Sequence, residues 1–155
     1  MRVEREISVA LVNEPGRLAQ ALAALAKAKV NIVAMTVTDS FYHGVLRLVV
    51  DDMEGARKAF EPLNLPTRET EVVCVDLANR PGAFASLAER LAADHVNIQY
   101  AYCTAGAPGG RTTGILRIDQ MKKALAILGT TEVDKRKTDS IKEKRMRVRD
   151  HAQSW

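Results

Sequence analysis

Asn13-Glu14-Pro15-Gly16-Arg17-Leu18 returns 66 residues later as Asn79-Arg80-Pro81-Gly82-Ala83-Phe84. Each copy stands between a short apolar run and an amphipathic stretch, so each marks a place where a strand turns into a helix. The agreement extends beyond the turn: Val30-Asn31-Ile32 is matched at the same offset by Val96-Asn97-Ile98, and Leu25 by Leu91. Farther along the offset grows to 70, because Gly44-Val45-Leu46-Arg47-Leu48 matches Gly114-Ile115-Leu116-Arg117-Ile118. The added residues fall around Ala105-Gly106-Ala107-Pro108-Gly109-Gly110, a composition that suits a hairpin connection and not a strand interior.

Working outward from the turns, Ile7 to Val12 reads as a strand and Gly16 to Lys29 as a helix with Leu18, Leu22, Leu25 and Ala26 on one side. Val30 to Thr38 and Val45 to Val50 read as strands. Met53 to Phe60 reads as a short helix, with Asp51-Asp52 before it and Pro62 after it. Thr67 to Asp76 can close one unit and open the next. In the second copy, strands are expected near Glu71–Leu77, Asn97–Thr104 and Thr112–Ile118, and helices near Gly82–Asp94 and Gln120–Leu128. A brief last strand is read at Thr130-Thr131-Glu132-Val133. The order is βαββαβ, twice, which gives an α+β, ferredoxin-like architecture: antiparallel sheet with the helices packed on one face. The expected division is 1–70, 71–133 and a charged, flexible tail, 134–155. Each unit alone is too small to bury a generous core, so a tight tandem follows.

Charge is unevenly placed. Residues 1–132 carry 15 Lys+Arg and 15 Asp+Glu, so the formal net charge of +4 resides in the tail and the body has no nucleic-acid footprint. Met1 to Glu6 is too charged for a signal peptide and no segment approaches a membrane span, so a cytoplasmic protein is expected, with no membrane partner, and the neutral body argues against a nucleic-acid partner. Cys74 and Cys103 are read as buried reduced thiols, and the histidines (His43, His95, His151) do not converge on a metal. No nucleophile elbow, phosphate loop or zinc signature is present, so neither catalysis nor a metal or cofactor is expected.

The doubled strand, Asn-x-Pro-Gly turn, helix and Val-Asn-Ile strand resembles the ACT domain, an amino-acid-sensing module of metabolic regulation, over residues 5 to about 130. It is most similar to small free-standing tandem ACT proteins. The resemblance implies a non-catalytic module that binds an amino acid at its turns and domain interfaces. The effector site would then involve Asn13, Pro15, Gly16, Arg17, Leu18, Asn31 and Ile32, and in the second copy Asn79, Pro81, Gly82, Ala83, Phe84, Asn97, Ile98 and Tyr100. Signalling would run through association as a homodimer, or through a regulated metabolic enzyme or transcription regulator.

The physics of the turn agrees, because a helix N-terminus offers unpaired N–H groups to a carboxylate, glycine permits close approach, and proline stiffens the entry. Asn13 and Asn79 can contact a zwitterion or cap the helix. Tyr100 and Tyr102, on one face of a strand, either wall a pocket or pack between the copies. Arg17, Arg80 and Arg111 either meet a carboxylate or stand as solvated charges. One departure is that the positions two before each motif asparagine, where ligand-binding ACT domains often have histidine, are Leu11 and Leu77, which implies a more apolar site. Two other readings remain: an adaptor that grips nucleic acid or protein with the basic tail, and a scaffold with vestigial ligand sites.

Overall fold

β1 (Arg2–Val12) and β4 (Thr67–Ala78) form the centre of the molecule. In the computed structural model, which describes residues 1–38, 43–104, 106 and 109–129, they are followed by equivalent elements: α1 (Arg17–Lys27), β2 (Ile32–Thr38), β3 (His43–Val50) and α2 (Met53–Phe60) after β1, then α3 (Ala83–Ala93), β5 (Ile98–Cys103), β6 (Arg111–Ile118) and α4 (121–129) after β4. The described strands make one six-stranded sheet in the order β2-β3-β1-β4-β6-β5, with each neighbouring pair antiparallel. The sequence reading of a doubled ferredoxin-like unit agrees with this arrangement.

The two units share their strands. The second half of β1 pairs with the first half of β4, from Glu6↔Thr70 to Val9↔Thr67, and so closes the first unit. The first half of β1 pairs with the second half of β4, from Arg2↔Cys74 to Arg5↔Glu71, and so occupies the fourth-strand position of the second unit. The last strand expected at Thr130–Val133 lies outside the described residues, as does the basic tail. The pairing with β4 lengthens β1, which the sequence reading starts at Ile7. Arg2 to Arg5 looks polar in isolation, yet it pairs with Glu71–Cys74 of β4, and Glu6 is flanked by both β3 and β4. The expected boundary at 70/71 falls inside β4.

The four α-helices among the described residues cover one face. Ile7, Val9 and Leu11 of β1 join Leu46, Leu48 and Val50 of β3 under α1 and α2, with Leu25 and Phe60 fully buried. Val73 of β4 joins Leu116 and Ile118 under α3 and α4, with Leu91 at the equivalent depth. Val3↔Val73 and Ile7↔Glu69 are cross-strand pairs, so the two cores lie on the same side of the sheet. The Asp52 side chain caps α2 by accepting the Gly55 N–H at 2.9 Å.

The other face is concave. Tyr100 and Glu6 stand on strands three places apart, nominally about 14 Å, yet the Tyr100 hydroxyl lies 2.5 Å from Glu6 Oε1. Ala34, Val49, Val72, Cys74 and Ile115 line the rest of this face with Tyr102 against them. Cys74 is buried as expected, but Cys103 is exposed. It alternates away from the tyrosines on the edge strand β5, where it has a neighbouring strand on one side only.

Candidate functional site: the paired turns

The two turns are built alike. Val12 and Ala78 carbonyls accept the N–H groups of Glu14 and Arg80, each at 2.9 Å, and Glu14 and Arg80 carbonyls accept those of Arg17 and Ala83, each at 3.3 Å. Gly16 (φ 86°) and Gly82 (φ 82°) are the N-cap residues of α1 and α3. A Cβ at either would meet no atom within 4 Å, so glycine is required by the left-handed backbone and not by crowding.

No side-chain cap hydrogen bond is made at Gly16 or Gly82. The N-cap position falls three residues after Asn13 and Asn79, on glycine, so neither asparagine is itself the N-cap residue. Both helices start with exposed N-caps, and the first N–H groups of a helix have no partner within it.

The turns differ in their surroundings. Asn79 donates from Nδ2 to the Gly106 carbonyl at 2.8 Å, its N–H bonds to the Gly110 carbonyl at 2.8 Å, and its own carbonyl accepts the Gly109 N–H at 3.1 Å. The inserted glycine-rich loop thus sits against the second turn, and a Cβ on Gly106 would lie 2.4 Å from the Arg111 carbonyl oxygen. Asn13 is exposed, and beside it Arg17 pairs with Glu14 at 3.1 Å.

The sheet separates several of the residues named from the sequence. β1 and β4 are antiparallel, so Asn13 and Asn79 are at opposite ends of the sheet. β1 and β2 both run antiparallel to β3, hence parallel to each other, which puts Asn31 at the end of the sheet away from Asn13; Asn97 stands away from Asn79 in the same way. Within one chain the asparagines of one copy do not converge on one ligand. The Asn31 backbone is held by Asp51, whose Oδ1 accepts its N–H at 2.8 Å.

Leu18 and Ile32 pack at the margin of the first core, as do Phe84 and Ile98 at that of the second. Pro15 and Pro81 are exposed, as are Arg80 and Arg111, while Ala83 is half-buried. Leu11 and Leu77 are core residues: Leu11 is buried among the first cluster and Leu77 packs on the second.

Tyr100 and Tyr102 join the two units. Their hydroxyls donate to Glu6 Oε1 at 2.5 Å and Oε2 at 2.8 Å, and Glu6 is fully buried. The Arg47 guanidinium lies 4.3 Å over the Tyr100 ring, with Nε 3.9 Å from Glu6 Oε1. Sequence reasoning missed Glu6 altogether.

Burial, and then the hydrogen bond to Glu6, push the Tyr100 hydroxyl from 10.0 up to about 12, and burial pushes that of Tyr102 up as well. Because the folded pKa exceeds the unfolded one, the stability from the neutral phenol is complete below pH 10 and is lost as pH rises through about 12. The unfolding free energy is expected to fall between pH 10 and about 12, and to fall less in Tyr100→Phe. Equal slopes for the two proteins in urea titrations would contradict this assignment.

Among the described residues no group of His, Cys, Asp or Glu is arranged to hold a metal ion, and no helix is long and apolar enough to cross a membrane.

Comparison with known proteins places this geometry. A protein of known structure from Bacteroides thetaiotaomicron is similar, with 30% identity, 84% of this chain and 89% of that one covered, and a TM-score of 0.78. The regulatory subunit of aspartate kinase from Thermus thermophilus shares the fold at 16% identity, over 83% and 94% of the two chains, with a TM-score of 0.62. Aspartate kinase from Clostridium acetobutylicum also shares it at 16% identity, over 80% of this chain and 32% of that enzyme, with a TM-score of 0.54. No match is found among curated proteins. The family described as an ACT domain pair matches residues 1–146, so the chain belongs to the ACT domain pairs.

Proposed function

We propose that the chain is a non-catalytic regulatory module of the cytoplasm that binds an amino acid at its Asn-x-Pro-Gly turns and signals by changing its association with a second copy or with a regulated enzyme or transcription regulator. The observation that carries this reading is the twinned turn itself. In an ACT domain pair, two left-handed glycines hold two exposed helix starts with no side-chain cap. Such a start offers N–H donors and the positive end of a helix dipole to a carboxylate.

The separation of Asn13 from Asn31 supports completion of each site by a second chain. The edge strand β2 exposes Val33, Met35 and Val37, at 40%, 39% and 45%, and an edge with unpaired backbone groups and an apolar stripe is suited to self-association. This edge supports the homodimer expected from the sequence.

The test is thermal unfolding of the full chain against the twenty amino acids. A ligand present at 100 times its dissociation constant contributes about 2.7 kcal/mol, or roughly 5–10 °C at this length. A rise confined to one or a few amino acids, and lost in Asn13→Ala/Asn79→Ala, is expected. A flat panel would favour a scaffold without effector.

A further inference from the structure

The duplication provides an internal control for the concave face. Under the 66-residue offset, Arg2, Glu4, Ser8 and Ala10 of β1 correspond to Arg68, Thr70, Cys74 and Asp76 of β4, and Arg47 corresponds to Arg117 under the offset of 70. Arg2 is neutralised by Glu4 at 3.0 Å and approached by Asp76 at 3.8 Å. Around its counterpart Arg68, both acids are replaced, by Thr70 and Ala10. Among the described residues the Arg68 guanidinium makes no hydrogen bond or ion pair.

Arg68 is not an isolated surface charge. Ser8 pairs with Arg47 on one side and with Arg68 on the other, so Arg47, Ser8 and Arg68 form a row across β3, β1 and β4, all on the face away from the helices. A cavity of about 400 Å³ opens there, and its walls include Arg47, Arg68, Arg117, Gln99, Ser8 and Thr70. Three guanidinium groups therefore face one space. Two are fixed: Arg117 by donating to the Glu71 carbonyl at 3.0 Å, and Arg47 by stacking on Tyr100 and donating to Thr38 Oγ1 at 3.3 Å. Arg47 Nε is buried with no hydrogen-bond acceptor. The nearby carboxylate, Glu6, is buried and already accepts from Tyr100, Tyr102 and Ser8.

Like charges gathered in a concave site repel one another unless an anion lies among them, and guanidinium groups recognise carboxylate and phosphate oxygens bidentately. The volume admits a small metabolite. We propose that this cavity binds a small anion carrying at least two negative charges, held by Arg47, Arg68 and Arg117 over a floor of Ser8 and Thr70. The repeat-equivalent position does not duplicate it, since Ala34 stands where Tyr100 would be and Arg2 has its own acids. The site contains none of the turn residues, so its failure would leave the amino-acid reading untouched.

Calorimetric titration of the full chain with pyrophosphate and with succinate, and with acetate as the monoanion, tests this. Binding of at least one dianion more tightly than acetate is expected, and the arm that binds tells a phosphate-bearing from a carboxylate ligand. Arg68→Gln, which breaks no internal contact, is expected to weaken that binding about tenfold or more. Lys27→Gln, an equal charge change on α1, should alter it less than about twofold at moderate salt, because distant exposed charges are screened. The proposal is overturned if neither dianion exceeds acetate, if Arg68→Gln binds as the parent does, or if Lys27→Gln weakens binding as much.

Discussion

Glu6→Ala is expected to destabilise the protein by about 3–5 kcal/mol, the scale for removing one partner of a buried charged cluster. The carboxylate is fully buried and accepts three hydroxyls, those of Tyr100, Tyr102 and Ser8. Alanine leaves both half-buried phenols without their acceptor and leaves Arg47 without its nearest anion. Each stranded group costs about 1–3 kcal/mol, so the sum reaches the stated range without any cavity contribution. Glu6→Gln should cost less, since it keeps the volume and one acceptor oxygen. Urea unfolding decides the matter: a loss below about 1 kcal/mol for Glu6→Ala would mean that the seam between the units is held by its apolar contacts alone.

The second large effect concerns cooperativity. Leu25 and Leu91 are repeat-equivalent, 1% and 0% exposed, and each lies in a different core. Truncating either to alanine should cost about 2–5 kcal/mol. The informative part is which transition moves. Each unit takes its fourth strand from half of a strand that opens the other or closes it, so neither can lose β1 or β4 without opening both. Leu25→Ala and Leu91→Ala are therefore each expected to shift a single, whole-chain transition, with fluorescence and circular dichroism midpoints coincident. Two separable transitions, one moved by each variant, would show that the units fold independently despite the shared strands.

The strands, turns and helices around the two Pro-Gly turns were legible because Pro-Gly and the apolar periods are local signals, while the start of β1 was not. The short helix expected after Asp51-Asp52 is α2, and the glycine-rich stretch marked by the growth of the repeat offset lies between β5 and β6. What escaped the sequence depends on distant partners. Glu6 sits in a charged stretch and has no local mark of burial; its tyrosine donors are 94 and 96 residues away. Arg2 to Arg5 carries charges on both faces, and only its pairing with Glu71–Cys74 makes it part of β1. A repeat map extended to β1 and β4 would have given one clue, since Glu4 has Thr70 as its counterpart while Arg2 keeps an arginine.

The turn residues divide in the same way. The glycines at 16 and 82 were read for their backbone freedom and have it, at φ 86° and 82°. The grouping of Asn13 with Asn31 was a reading of adjacency along the chain, and the crossover α1 carries the second asparagine to the far end of the sheet.

The central claim is effector recognition at the paired turns, and the most direct measurement is an amide NMR spectrum of the labelled full chain titrated with the amino acids in small pools. Shifts that begin at residues 13–18 or 79–84, centred on the Gly16 or Gly82 amide and absent in the Asn13→Ala/Asn79→Ala protein, are the predicted result. No shift at either turn with any pool, or shifts confined to residues away from both, would contradict it.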